Sequence, residues 1–389
     1  MSRLNVENIR HPDAASDSLQ LSDAGNITAP GNLILTGSLT ANGLAYPTDG
    51  PLSNRNLIIN GAMQVAQRGT SFTGLTSGNN YSADRFIFSL TSSGTATLTQ
   101  SADAPVGFKN SFKIEFTAAA ASPTENKIEY RFEGQDVQQL EWGTANAKGI
   151  TLSFYIKSNK TGNTQFALQN SANDRSYIAP FTIDAANTWE RKTIYVPGDT
   201  SGTWLTGNDI GLRIRWGFYE ASRQSSTVNA WQSGIYQTRS DSPINFADTI
   251  GNTFLLSGVQ LEVGSAATPF EHRSYGQELS LCQRYYGKIR LYNQEWIYSE
   301  GVSSNDKWHW ANIPFTMRAN PSVDVSDLAT GGSVSGLSGT ISSFAAQSPG
   351  DTPGRISSRI TMSTATGTAR NVYHTDSFGN DYIAVSAEL

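Results

Sequence analysis

The chain has 389 residues but only one cysteine, Cys282, and only 16% of its residues are charged, where globular proteins carry about 25%. A single thiol excludes an internal disulfide framework and any multi-cysteine metal site. Lys and Arg number 28 against 33 Asp and Glu, with no block of like charge. The basic stripe with which a protein displaces counterions from a phosphate backbone is missing, so no nucleic acid is expected as a partner. Long apolar runs are missing too. Phe254-Leu255-Leu256 is among the longest, far short of the ~18 residues that span a bilayer, and no membrane insertion is expected. Met1-Ser2-Arg3-Leu4-Asn5 lacks the apolar stretch of a secretory signal. The expectation is a chain made in a cytoplasm that reaches any outside location by assembly.

What replaces the charge is Ser, Thr, Asn and Gly (35 glycines), with 17 Phe, 15 Tyr and 8 Trp. Turn formers mixed with β-branched and aromatic residues favour strands, so the expected class is all-β, in two or three domains at roughly 150 residues each. Residues 1–51 stand apart. Leu19-Gln20-Leu21, Gly31-Asn32-Leu33-Ile34-Leu35 and Gly37-Ser38-Leu39 alternate apolar with polar residues, and almost nothing there is bulky. So short a segment cannot bury a core alone. It reads either as an intertwined β segment that trimerises the chain or as a disordered leader.

From 52 to 273 the chain is strand-like. Gly149–Lys157, Lys192–Val196, Ile210–Phe218 and Phe254–Val263 carry strand patterns, separated by turns such as Asn159-Lys160-Thr161-Gly162-Asn163. Many strands without helical patterns between them indicate a sandwich or barrel. Residues 274–389 form a connecting helix over Glu278–Tyr286, with Leu281 and Tyr285 on one face, followed by a smaller β domain that ends on the strand Asp381–Val385.

The usual marks of catalysis are sparse. His11, His272, His309 and His374 share no ligand spacing, GxSxG is absent, and the glycine-rich stretches lack the Lys-Ser/Thr of a phosphate loop. No metal and no cofactor is expected. His309, between Trp308 and Trp310, would face away from both in a strand and reads as a surface residue. Glu129, Glu133 and Glu141 lie near Trp142, but nothing marks any two as the acid pair of a glycosidase. No enzyme activity is expected.

Aromatics are the stronger sign. All eight tryptophans fall between 142 and 310. Trp189 and Trp216, beside or within alternating stretches, are expected to be buried packing residues. Trp204 and Trp231 lie in polar loops, where an indole is either a lid over the core or a platform for a sugar ring, and these two are the candidate glycan-binding residues.

Three stretches resemble phage virion proteins. Asn54-Arg55-Asn56-Leu57-Ile58-Ile59-Asn60-Gly61 runs through Gln67-Arg68-Gly69-Thr70 to Tyr81-Ser82-Ala83-Asp84-Arg85-Phe86, and is similar to the opening of tail-fibre-like phage domains. Leu256–Gly264, Ala267–Arg273 and Leu281–Tyr286 are similar to the close of the same module. Pro314–Val323 with the last residues, Ala387-Glu388-Leu389, resembles the small β domain that often follows. The resemblance covers 54–389. It implies a jelly-roll sandwich like a carbohydrate-binding module (52–273) in a virion protein, a tail fibre or receptor-binding protein that meets a host surface polysaccharide or lipopolysaccharide. A head or tail decoration protein and, further off, a polysaccharide depolymerase are the alternatives. A homotrimer attached to other virion proteins through residues 1–51 is expected, located on the virion. Asp84 and Arg85 are expected to form a buried pair and Gln67-Arg68 to cap a strand end, so that all four serve the fold.

Overall fold

The computed structural model describes residues 53–119, 125–220, 223–241, 243–290, 306–324 and 382–389, with the backbone of further short strands before residue 46 and between 333 and 373. Eleven strands build the main body: β1 (Ser71–Asn80), β2 (Phe86–Ser101), β3 (Ser111–Ala118), β4 (Glu125–Glu133), β5 (Ile150–Ser158), β6 (Gly162–Gln169), β7 (Arg175–Ile183), β8 (Glu190–Val196), β9 (Ile210–Tyr219), β10 (Trp231–Ser233) and β11 (Thr253–Val263). All their pairings are antiparallel.

The long strand β2 makes two layers out of one continuous ladder. Its first half, Phe86–Thr91, pairs with β4, and its second, Thr95–Ser101, pairs with β3. One layer therefore runs β8-β5-β11-β3-β2 and the other β2-β4-β9-β6-β7-β10, with β1 along the free side of β2. The chain crosses repeatedly between layers, as from β3 to β4 and from β7 to β8. The result is a jelly-roll sandwich, as the strand-rich text of 52–273 leads one to expect.

Alternation decides what lies between the layers. Phe86, Phe88 and Leu90 of β2, Ile128, Tyr130 and Phe132 of β4, and Leu212, Ile214, Trp216 and Phe218 of β9 face inward. They meet Phe112, Ile114, Leu152, Phe154 and Leu261 from the other layer, and all are buried. Trp216 is a core residue as expected. Trp189 is not: it is only half-buried, and its indole N–H donates to Asp103 at 3.0 Å. It precedes β8 at an edge of its layer, where no strand lies beyond to cover it.

After the sandwich, helix α2 (Tyr275–Gln283) begins at Ser274, while a shorter helix α1 (Gly134–Val137) follows β4. The Ser274 hydroxyl accepts from the Gln277 N–H and the Gln277 side chain accepts from the Ser274 N–H, a capping box. The helix stops at Gln283, so Tyr285 lies beyond it and does not share a face with Leu281. Leu281 is exposed, and the buried face is Glu278 with Cys282. Next comes a three-stranded sheet of β12 (Tyr286–Arg290), β13 (Ser322–Asp324) and β14 (Tyr382–Ser386) in the order β12-β14-β13. The Trp308-His309-Trp310 run lies in the strand Asp306–Asn312, paired with Arg355–Met362. Its side chains, along with Trp296 and His374, lie outside the described residues.

In the leader, Asn8–Ile9 pairs with Leu19–Leu21, which pairs with Ile27–Thr28, and Thr40–Ala41 pairs with Leu44–Ala45. The rest of residues 1–51, and with it the expected trimer contacts, lies outside the described residues. Among the described residues no helix is long and apolar enough to cross a membrane.

Candidate functional site

Three tryptophans far apart in sequence meet at one rim of the sandwich. Trp142 follows α1 and a short helical turn, Trp204 lies between β8 and β9, and Trp231 opens β10, where it sits opposite Tyr177 of β7. Trp231 is thus a strand residue rather than a loop residue. Ring centroids are 4.7 Å apart for Trp142–Trp204, 5.1 Å for Trp142–Trp231 and 5.5 Å for Trp204–Trp231, and Tyr177 lies 5.3 Å from Trp231. The three indoles are mutually close to perpendicular, with interplanar angles of 76°, 74° and 81°. They form a corner, not a flat strip. Trp142 is buried, Trp204 and Trp231 are half-buried, and Tyr195 of β8 is exposed nearby.

Each indole N–H is already taken. Trp142 donates to the Lys148 carbonyl at 2.7 Å, Trp204 to Ser201 at 3.1 Å and Trp231 to Pro197 at 2.7 Å. What remains for a ligand is ring face and ring edge. The loops that present them are fastened. Arg175 donates twice to Asp199, at 2.7 Å each, and the Asn170 amide donates to the Thr203 carbonyl. Gly143 and Gly202 both take a positive φ of 81°, and a side chain on Gly143 would lie 2.8 Å from the Gly202 carbonyl. Only glycine lets the two loops approach so closely.

The residues of the opening motif gather elsewhere, at the seam between sandwich and C-terminal sheet. Gln67 donates to Asp84 through its backbone N–H at 3.1 Å and its amide at 2.6 Å, and the same amide donates to the Tyr286 carbonyl at 2.7 Å. Gln67 thus ties a turn to Asp84 and to Tyr286, the first residue of β12. Asp84 and Arg85 are both buried, but no ion pair joins them. Arg85 takes a left-handed backbone conformation (φ 74°), and each of the two finds its partners elsewhere. Asp84 faces Arg68 at 3.7 Å, and burial raises its carboxyl above the usual carboxylate range. Arg85 pairs with Glu388, donates to the Arg131 carbonyl and lies 3.4 Å over the ring of Tyr285.

The outward face of β4 and β9 holds a polar cluster around Glu129 and Glu133. Glu129 is fully buried and takes Nε donors from both Arg131 and Arg215, with Lys127 at 3.3 Å. Burial pushes its carboxyl up, but Arg215, Lys127 and Arg131 outweigh that and hold it down at about 2. Glu133 accepts twice from Arg284, at 2.8 Å each, and lies below its ordinary value although burial opposes this. Glu141 is half-buried beside Lys148. Glu129 and Glu133, both held below their ordinary value, carry no proton at neutral pH to give to a leaving group. The residues 236–238 roof this face: the Tyr236 carbonyl accepts from Gln169, and Gln237, with its amide oxygen inward, accepts from Arg215. The alternation Lys127-Ile128-Glu129-Tyr130-Arg131-Phe132-Glu133 was the available signal for it. Of the histidines, His272 stacks against Phe108 and Phe270. Among the described residues no group of three or more His, Cys, Asp or Glu is placed to hold a metal.

No protein-family model and no curated protein sequence matches the chain. Solved structures do show similarity. One is the enzymatically active domain of tailspike protein 4 of bacteriophage CBA120, at 10% identity and TM-score 0.27, over 54% of this chain and 21% of that one. A putative sugar binding protein from Bacteroides thetaiotaomicron aligns at 12% identity and TM-score 0.28, over 54% of this chain and 100% of that one. A family 11 carbohydrate-binding module from Clostridium thermocellum aligns at 11% and 0.26, over 52% and 99%. The chain thus covers about a fifth of the tailspike domain's length. Likenesses this distant say nothing of what the chain binds.

Proposed function

We propose that the chain is a non-enzymatic phage virion protein, a tail fibre or receptor-binding protein, that grips a host surface polysaccharide or lipopolysaccharide at the corner made by Trp142, Trp204 and Trp231. The observation that carries this reading is the pair of half-exposed indoles with every N–H tied to backbone, on loops clamped by Arg175 and Asp199. A sugar presents an apolar C–H face to such rings, while its hydroxyls turn to the polar loop residues around them. Clamped loops lower the ordering entropy of binding. The virion assignment is supported by the three sequence stretches that resemble tail-fibre-like proteins. Residues 1–51 are the proposed trimerisation and virion-attachment segment.

A glycan array tests the site. The wild-type chain binds one glycan class, and the double variant Trp204→Ala, Trp231→Ala loses that binding. Unchanged binding overturns the assignment. Incubation with host capsular polysaccharide or lipopolysaccharide yields no new reducing ends if the protein only binds.

A further inference from the structure

Where the sandwich meets the C-terminal sheet, a cleft of about 480 Å³ opens between the end of β1 and strands β13 and β14. That volume is within the range of small-ligand sites. One wall is aromatic: the rings of Phe72 and Tyr81 line it, both half-buried. Arg68, which also lines the cleft, has its guanidinium 4.2 Å from the Tyr81 ring and 3.6 Å from the Tyr286 ring, and it donates to Glu388 at 3.0 Å. This sandwiching fixes the wall in place. The rim is polar. Asn79 accepts from the Ser89 hydroxyl at 2.7 Å, and among the described residues its NH2 makes no hydrogen bond. The neighbouring Asn80 spends its amide on the Ser77, Gly78 and Phe88 carbonyls, and the exposed Asp324 also lines the cleft.

We infer that this cleft is a second ligand site, one that takes a single neutral pyranose residue of a saccharide. An apolar ring wall matches the C–H face of a pyranose, and the Asn79 carboxamide and the Asp324 carboxylate match hydroxyls that both donate and accept. Charge selects a neutral sugar. The cleft is lined by two carboxylates, Asp324 and Glu388, and one cation, Arg68, which Glu388 meets at 3.0 Å, so the lining charge disfavours an acidic sugar. Burial and the Glu388 charge push the Tyr81 phenol up to about 12, so it stays a neutral hydroxyl beside the ligand. The site shares no residue with the tryptophan corner and does not depend on it.

Saturation-transfer NMR on the full chain tests it, with glucose, galactose, mannose, N-acetylglucosamine and glucuronate as probes. Wild type transfers saturation to at least one neutral sugar, and the Trp204→Ala, Trp231→Ala variant keeps it. The variant Asn79→Ala, Asp324→Ala changes only exposed residues and binds that sugar about tenfold more weakly or worse. If its melting temperature falls, Asp324→Asn alone replaces it. No transfer to any neutral sugar overturns the inference, as does a preference for glucuronate. Binding that vanishes with the tryptophan variant and survives the cleft variant overturns it too, while leaving the corner standing. The converse pattern supports the cleft and counts against the corner.

Discussion

Glu129 stands among three cations inside the roofed face of the sandwich, and its carboxyl is held at about 2 against an ordinary 4.5. A depressed carboxylate adds stability that is fully present above its unfolded value and is lost as pH falls through the folded one. The window here is from about 4.5 down to 2, and the amount is on the order of 3 kcal/mol. Urea midpoints measured across this window fall for the wild type. Glu129→Gln flattens that fall and loses roughly 3 to 5 kcal/mol at neutral pH, because Arg215 is left buried without its carboxylate. An unchanged pH slope in the variant rejects this account. At this scale the sequence is half legible. Alternation places Glu129 opposite Ile128 and Tyr130, but Arg215 is 86 residues away and the Arg284 that holds Glu133 is 151 away. No local pattern names a partner at that distance. The same limit explains why Trp204 and Trp231 are individually visible in the sequence while Trp142, their third wall, is not distinguished.

Elements were legible where their signals are local. The strands β5, β9 and β11 announce themselves by alternation or by apolar runs, whereas β1, mostly exposed and broken by Gly74 and Gly78, does not. Helix α2 lies where the sequence pattern places it, but it ends at Gln283, so Tyr285 does not extend the Leu281 face and the buried face is Glu278 with Cys282. The turn there is set by a Tyr285 N–H that donates to the Cys282 carbonyl at 2.9 Å, and the packing is set by Glu278, which accepts from the Asn60 N–H at 2.7 Å. A short helix with no apolar stripe depends heavily on its cap. Ser274→Ala removes the capping box and costs about 1 kcal/mol in denaturant unfolding, with faster hydrogen exchange at the Gln277 amide. If neither stability nor exchange changes, docking through Glu278 alone holds the helix.

At the scale of the whole molecule, strand order was the part the sequence withheld. That β5 lies between β8 and β11 follows from which edges remain open after hairpins form, not from any residue's preference. The leader poses the opposite case. Its described strands are two or three residues long and pair only with one another. Strands so short bury almost nothing by themselves, and the proposed trimer would let such a segment pack against copies of itself. A trimer formed there would carry three sandwiches, and three weak sugar contacts held together raise avidity by about 10² to 10⁴ over one. Light scattering of the full chain therefore gives three times the chain mass, and a chain beginning at residue 52 gives one. On immobilised glycan the shortened chain dissociates faster by that avidity factor, while its affinity for a soluble single sugar is unchanged. A full-length chain that scatters as a monomer removes both the trimer and the avidity.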